Sequence, residues 1–125
     1  MYLGNFIALP VKPPGMVRVV AVDLGATNTR VGVLDNGGIM LEKIEAKTPT
    51  GGADPAILTG FLTDMIGRVC GTGALRGFSG IGLSVAGPVD IRRRILLNPP
   101  NLPFRDVPLP GSLEEQFGIP VRMVN

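Results

Sequence analysis

Asp23, Gly25, Thr27, Asn28 and Thr29 lie within one short stretch, Asp23-Leu24-Gly25-Ala26-Thr27-Asn28-Thr29-Arg30. A carboxylate, a glycine, two hydroxyls and an amide gathered at a turn have the chemistry of an anion site. Gly25 can adopt a positive φ that brings successive backbone N–H groups to face one way, and Thr27, Asn28 and Thr29 add side-chain donors beside them. Asp23 would repel a phosphate in direct contact, but a carboxylate can hold a hydrated Mg²⁺ that bridges to one. Taken alone, the same residues also suit an ordinary surface hairpin, because each is a common turn former for local reasons.

A second group follows later in the chain. Ala86-Gly87-Pro88-Val89 turns sharply, and Asn98-Pro99-Pro100-Asn101-Leu102-Pro103 is too rich in proline for a helix or a sheet ladder. Two asparagine amides held by neighbouring prolines present a pre-organised hydrogen-bonding surface suited to a hydroxyl-rich ligand. By themselves they equally read as two asparagines satisfying a turn. Other reactive types are scarce. The chain has no histidine and one cysteine, Cys70, so zinc sites of the Cys/His kind, an internal disulfide and histidine acid–base chemistry are all excluded, and proton transfer must use Asp or Glu. Gly71, Gly73 and Gly77 follow a helix and lack the spacing of a dinucleotide fingerprint. Arg92, Arg93 and Arg94 read as a solvated hairpin tip rather than a surface for an acidic partner.

With 125 residues the chain is one domain by length. A net charge of +2 and few aromatics argue against a nucleic-acid partner. No apolar run approaches the roughly 20 residues of a membrane-spanning helix, and the N-terminus lacks the pattern of a secretory signal, so no membrane partner and a cytoplasmic location are expected.

The elements that must position these groups follow from periodicity. Residues 1–16 are expected to be an irregular leader, either disordered or an arm laid over apolar surface, because Pro10, Pro13 and Pro14 forbid a regular element. The first strand begins at Val17 and a second spans residues 31–34. After the turn residues Asp35-Asn36-Gly37-Gly38, a third covers 39–46, and the three make an antiparallel meander. Asp54 caps a helix with Pro55 in its first turn. Ile57, Leu58, Phe61, Leu62, Met65, Ile66, Val69 and Cys70 share its apolar face, which makes Cys70 a packing residue, and Gly71 and Gly73 end it. A buried strand over 78–85 carries Ile81, Leu83 and Val85 on one side. A small hairpin surrounds residues 90–94. A short helix over 112–117 is capped by a Ser112/Glu115 box and stopped by Gly118, and a last strand runs over 119–124. The order strand, strand, strand, helix, strand, helix, strand predicts an α/β fold with a mixed sheet of about five strands and crossover helices.

In this order and spacing the motifs resemble a known family. The stretch from Asp23 to Arg30 looks like the first phosphate loop of the actin, heat-shock chaperone and sugar-kinase superfamily, whose half-domains have a ribonuclease H-like sheet. Ala86-Gly87-Pro88-Val89, the following hairpin, Asn98-Pro99-Pro100-Asn101-Leu102, and Ile119-Pro120-Val121 leading to Asn125 resemble the N-terminal domain of the repressor/ORF/kinase (ROK) family, especially its glucokinases. The resemblance runs from about Val17 to Asn125. It implies transfer of the γ-phosphoryl group of MgATP to a hexose hydroxyl, glucose first. Asp23, Gly25, Ala26, Thr27 and Asn28 would serve ATP and, through water at Asp23, Mg²⁺; Gly87, Asn98, Asn101 and Asn125 would serve the sugar. Ala26 stands where the family usually has glycine. The family's catalytic aspartate would follow Asn125, so the chain reads as an N-terminal domain cut before that residue and before a C-terminal domain. Such a half-protein is expected to self-associate or to dock that missing domain. A sugar-responsive ROK repressor and a non-kinase actin-like ATPase are the alternatives; a leader of 16 residues rich in proline is too short for a helix-turn-helix domain, and the 98–102 segment argues against the ATPase.

Overall fold

A computed structural model describes residues 17–71 and 75–125; the predicted leader and the predicted stop at Gly73 lie outside the described residues. The elements are β1 (Arg18–Leu24), β2 (Asn28–Asp35), β3 (Met40–Lys47), α1 (Pro55–Cys70), β4 (Phe78–Val85), the short β5 (Val89–Asp90) and β6 (Ile95–Leu96), α2 (Leu109–Phe117) and β7 (Val121–Val124). The main sheet has the order β3-β2-β1-β4-β7. The first three strands are the antiparallel meander expected from their short turns, with Leu24 opposite Thr29 and Val31 opposite Ile44. β4 then joins β1 in parallel and β7 joins β4 in parallel, with Asp23 beside Ser84 and Ser84 beside Val124. The mixed α/β sheet of five strands is therefore as the sequence pattern predicts.

Side chains alternate across the sheet, and the alternation decides which face is covered. Val20, Val22 and Leu24 of β1, with Ile81, Leu83 and Val85 of β4, enter one core with Leu58, Leu62 and Ile66 of α1 and Leu113 and Phe117 of α2. Each fully buried leucine contributes about 1.5–3 kcal/mol. The opposite face, with Asp23, Arg30, Gly82 and Ser84, is open. Edge strand β3 leaves Met40 and Leu41 half exposed.

The Asp54 carboxylate caps α1 by accepting from the Ala56 N–H at 3.0 Å. Gly71, at φ 91°, ends the helix and donates its N–H to the Gly67 carbonyl. Ile57 departs from expectation: it is 40% exposed, because it lies about 100° round the helix from the Leu58–Leu62–Met65 stripe. Cys70 packs against the core as expected, and burial pushes its thiol up to about 12, which keeps it protonated.

The second helix corrects the capping-box reading. α2 starts at Leu109, with Pro108 in the cap position and no side-chain cap, and Ser112 lies inside it, donating its N–H to the Pro108 carbonyl. Leu109 and Pro110 are both buried, so packing sets the start, and a proline in the first turn loses no helical bond. Glu114, rather than Glu115, is the carboxylate with partners. It takes Arg94 in a two-point ion pair at 2.9 and 2.7 Å and accepts the Val121 N–H at 2.9 Å, while Arg94 also donates to the Val121 carbonyl at 2.8 Å. The third arginine of the hairpin is thus anchored to α2 and to the start of β7, not a solvated tip. Its backbone sits at φ 59°, a conformation that costs a non-glycine residue about 1–2 kcal/mol.

This clamp has a pH signature. The Arg94 guanidinium, and then the Val121 N–H, hold the Glu114 carboxyl below its ordinary value of 4.5. A depressed carboxyl contributes stability that is complete above its unfolded-state value and is lost as pH falls through the folded one. Glu114→Gln is expected to lower the thermal midpoint at neutral pH and to flatten its fall in acid, so the two proteins converge well below pH 4.5. Parallel melting curves across that range would show that Glu114 carries no linked charge.

Candidate functional site

The stretch between β1 and β2 is tighter than its sequence suggests. β2 begins at Asn28 rather than Val31, so only residues 25–27 form the turn. Gly25 does not have a positive φ. Glycine is needed there for another reason: a Cβ would stand 2.7 Å from the Asn28 carbonyl oxygen, which accepts the Gly25 N–H at 3.1 Å. The Gly25 amide is therefore engaged within the turn. Thr29, expected to offer a donor to a ligand, is fully buried, because strand alternation turns it to the core side. What the turn does offer is the amides of Ala26 and Thr27, which have no partner among the described residues, and the exposed side chains of Thr27 and Asn28. The carbonyls of Gly25, Thr27 and Asn28 are all hydrogen-bonded inside the protein. A turn whose carbonyls are satisfied internally while amides are left to donate favours an anion.

Asp23 lies on the open sheet face one residue before the strand ends, opposite Arg30 and beside Ser84. Its Oδ2 stands 3.4 Å from Arg30, which also reaches Glu45 at 3.5 Å, and Asp23 and Arg30 are more than half exposed. An ion pair this long and this wet contributes about 0–1 kcal/mol and leaves the carboxylate accessible. It opens onto a shallow trough of about 400 Å³ shared with Gly82, Ser84 and Arg122. A larger groove of about 770 Å³ runs between α1 and α2, lined by Gly60, Thr63 and Gln116, and touches none of the expected site residues.

The second group meets the first at the same end of the sheet. The Ala86 N–H donates to the Leu24 carbonyl at 3.0 Å, which sets the turn after β4 beside the turn after β1. Gly87 lies flush on the proline segment, where a Cβ would meet Pro99 Cα at 2.8 Å. In that segment Leu102 N–H donates to the Pro99 carbonyl, with Pro100 and then Asn101 at φ 64° between them, which is a type II turn with its preferred residues. Asn98 and Asn101 are exposed and their amides take no bond from the described residues. Asn125 follows the Ser84–Val124 pair and is exposed at the end of β7. The carboxyl ends of β1, β4 and β7 thus bring together Asp23, residues 25–28, Gly87, Asn98, Asn101 and Asn125, the end of an open α/β sheet where ligands bind.

Two residues that sequence reasoning passed over complete the site. Thr48, which lies between the third predicted strand and the Asp54 cap, is buried and bonds the 25–27 turn through both its backbone and its hydroxyl, and Arg30 sits across from Asp23. Neither has a local signal: each acts across a strand pairing. Among the described residues no three His, Cys, Asp or Glu side chains gather to hold a metal, and no helix is long and apolar enough to cross a membrane.

Known proteins resemble this chain in sequence and in fold. A glucokinase of Pyrobaculum calidifontis is 29% identical over 110 residues, covering 88% of this chain and 32% of that protein. A putative xylose repressor of a Caldicellulosiruptor species is 42% identical over 50 residues, 40% of this chain and 12% of that one. The crystal structure of a ROK family glucokinase from Streptomyces griseus, in complex with glucose and AMPPNP, superposes with a TM-score of 0.71 at 27% identity, covering 89% of this chain and 33% of that chain. The chain spans about a third of the length of the glucokinases it matches. The sheet is that of the actin-like ATPase fold found in ROK sugar kinases. With the ROK family signature matching residues 19–125, nearly the whole of the described structure, the chain belongs to the ROK family.

Proposed function

We propose that this chain is the N-terminal part of an ATP-dependent hexose kinase that transfers the γ-phosphoryl group of MgATP to a sugar hydroxyl, with glucose the first candidate. The observation that carries the reading is the convergence of an amide-rich turn and an asparagine-bearing proline loop at one end of the sheet. The Ala26 and Thr27 amides and the Asn28 side chain hold phosphate oxygens. Asn98, Asn101 and Asn125 donate to and accept from sugar hydroxyls, and Gly87 lets the proline loop close against the strand end. Asp23 is a single carboxylate, so it suits Mg²⁺, which keeps most of its waters and takes phosphate oxygens in place of a protein cage. When bound, that ion neutralises charge on the phosphates.

The general base is an aspartate following Asn125, and the remaining two-thirds of a family-length protein supplies the adenosine site and the closure that excludes water. That remainder is the partner for the uncovered sheet face. A second reading is favoured by the 42% identity with a putative xylose repressor: a sugar-binding regulator that does not turn over. Hexose-dependent ADP release by the full-length protein separates the two. Turnover with glucose or another hexose is the expected result, whereas hexose binding by calorimetry without ADP release assigns the chain to the regulator.

A further inference from the structure

We propose that Thr48 is a positioning residue that aims the backbone amides of the phosphate turn, an inference that rests on the phosphate-binding role given above. Thr48 follows β3, and it grips the β1–β2 turn at two places. Its hydroxyl donates to the Gly25 carbonyl at 2.7 Å, and its N–H donates to the Thr27 carbonyl at 2.9 Å. A peptide unit is planar and trans, so its C=O and the following N–H point in opposite directions. Drawing the Gly25 carbonyl toward Thr48 therefore turns the Ala26 N–H the other way, away from Thr48. Holding the Thr27 carbonyl fixes the Asn28 N–H in the same manner.

The proton order is determined as well. The Thr48 hydroxyl has one hydrogen and gives it to a carbonyl, which can only accept, so in the 2.7 Å contact between Thr29 Oγ1 and Thr48 Oγ1 the donor is Thr29. Thr29 is fully buried and Thr48 is 6% exposed, so water does not replace these bonds. The relay runs from Thr29 to Thr48 to Gly25, each bond polarising the next. Thr48 is the member that touches the turn, while Thr29 only supports it.

The variants are therefore ordered. In the full-length protein, Thr48→Val keeps the side-chain shape and the backbone bond but strands the Gly25 carbonyl and the Thr29 hydroxyl. It is expected to lower kcat/KM for MgATP roughly 5- to 50-fold while the KM for hexose stays within about twofold. Thr48→Ser should restore the wild-type value. Thr29→Val, which leaves the bond to Gly25 in place, should change it by less than about threefold. If Thr48→Val does not fold, Thr48→Cys, with a weak S–H donor, serves in its place and should show an intermediate loss. An unchanged kcat/KM for MgATP in the Val or Cys variant overturns the inference, as does a joint rise of the MgATP and hexose KM values, which marks a merely structural prop. Asp23→Asn run beside them keeps the two ideas apart. If that variant loses turnover while Thr48→Val does not, the phosphate reading stands and the inference falls; if both variants retain full turnover and unchanged kcat/KM for MgATP, both fall.

Discussion

The 125-residue chain, purified by itself, is expected to show no glucose-dependent ADP release. Loss of a general base typically removes 10²–10⁴-fold of rate, on the order of 3–5 kcal/mol of barrier. The proposed reading takes its general base from outside these 125 residues and gives Asp23, the carboxylate at this end of the sheet, to the phosphate side. Positioning is lost in addition: without a second wall for the nucleotide, little holds the γ-phosphorus in line with a sugar hydroxyl, and oriented reactants can be worth a further 7–11 kcal/mol. The two deficits act on the same step and compound. Weak MgATP binding at residues 23–28 should survive, because that turn is a continuous hairpin held by strand pairing and Thr48. The measurement is coupled ADP release with and without glucose, with an Asp23→Ala chain reporting any contaminating kinase. Glucose-dependent turnover above that control would show that the catalytic groups are assigned to the wrong residues.

In the full-length protein, Asp23→Asn should lower kcat roughly 10²–10³-fold with the hexose KM within about twofold of wild type. The substitution is isosteric and the site is solvent-exposed, with only a 3.4 Å contact to Arg30 to lose, so the fold is not at stake. On the proposed reading, what changes is a charge that would hold a hydrated cation against the phosphates, and such a charge matters most as the phosphoryl group moves. The proposed sugar side, the 98–102 segment anchored through Gly87 and the Pro99–Leu102 turn, shares no hydrogen bond with Asp23 and should bind as before. Steady-state kinetics with both substrates varied gives the comparison. An unchanged kcat ends the metal-holding assignment of Asp23; an equal loss in hexose affinity points instead to a collapsed strand end.

Local chemistry makes much of this protein legible in its sequence. Asp54 followed by Pro55, the stripe from Leu58 to Ile66 and a terminal Gly71 define α1 because capping, helical period and glycine act within a few residues. The β4 strand is equally plain from Ile81, Leu83 and Val85. The start of α2 is not, because Leu109 and Pro110 enter the helix to fill the core, whereas Ser112 and Glu115 only mimic a capping pattern. Arg94 misleads for the same reason: in sequence it is one of three tip arginines, and in space it reaches Glu114, twenty residues on.

The order of the elements, the residues of the 25–27 turn and the proline loop, and through their spacing the family, are all properties of the chain as written. They depend on neighbours along it. Which groups of the turn remain free is a property of the folded molecule. Strand register sends Thr29 inward and Asp23 outward, although the two are six residues apart on one hairpin. Close approach to the Asn28 carbonyl, rather than an unusual φ, is what requires glycine at position 25. Thr48 acquires its role from the pairing of β2 with β3, which brings it back over a turn more than twenty residues earlier. Hydrogen bonds reach only about 3 Å, so their partners follow from the folded path of the chain and not from its order.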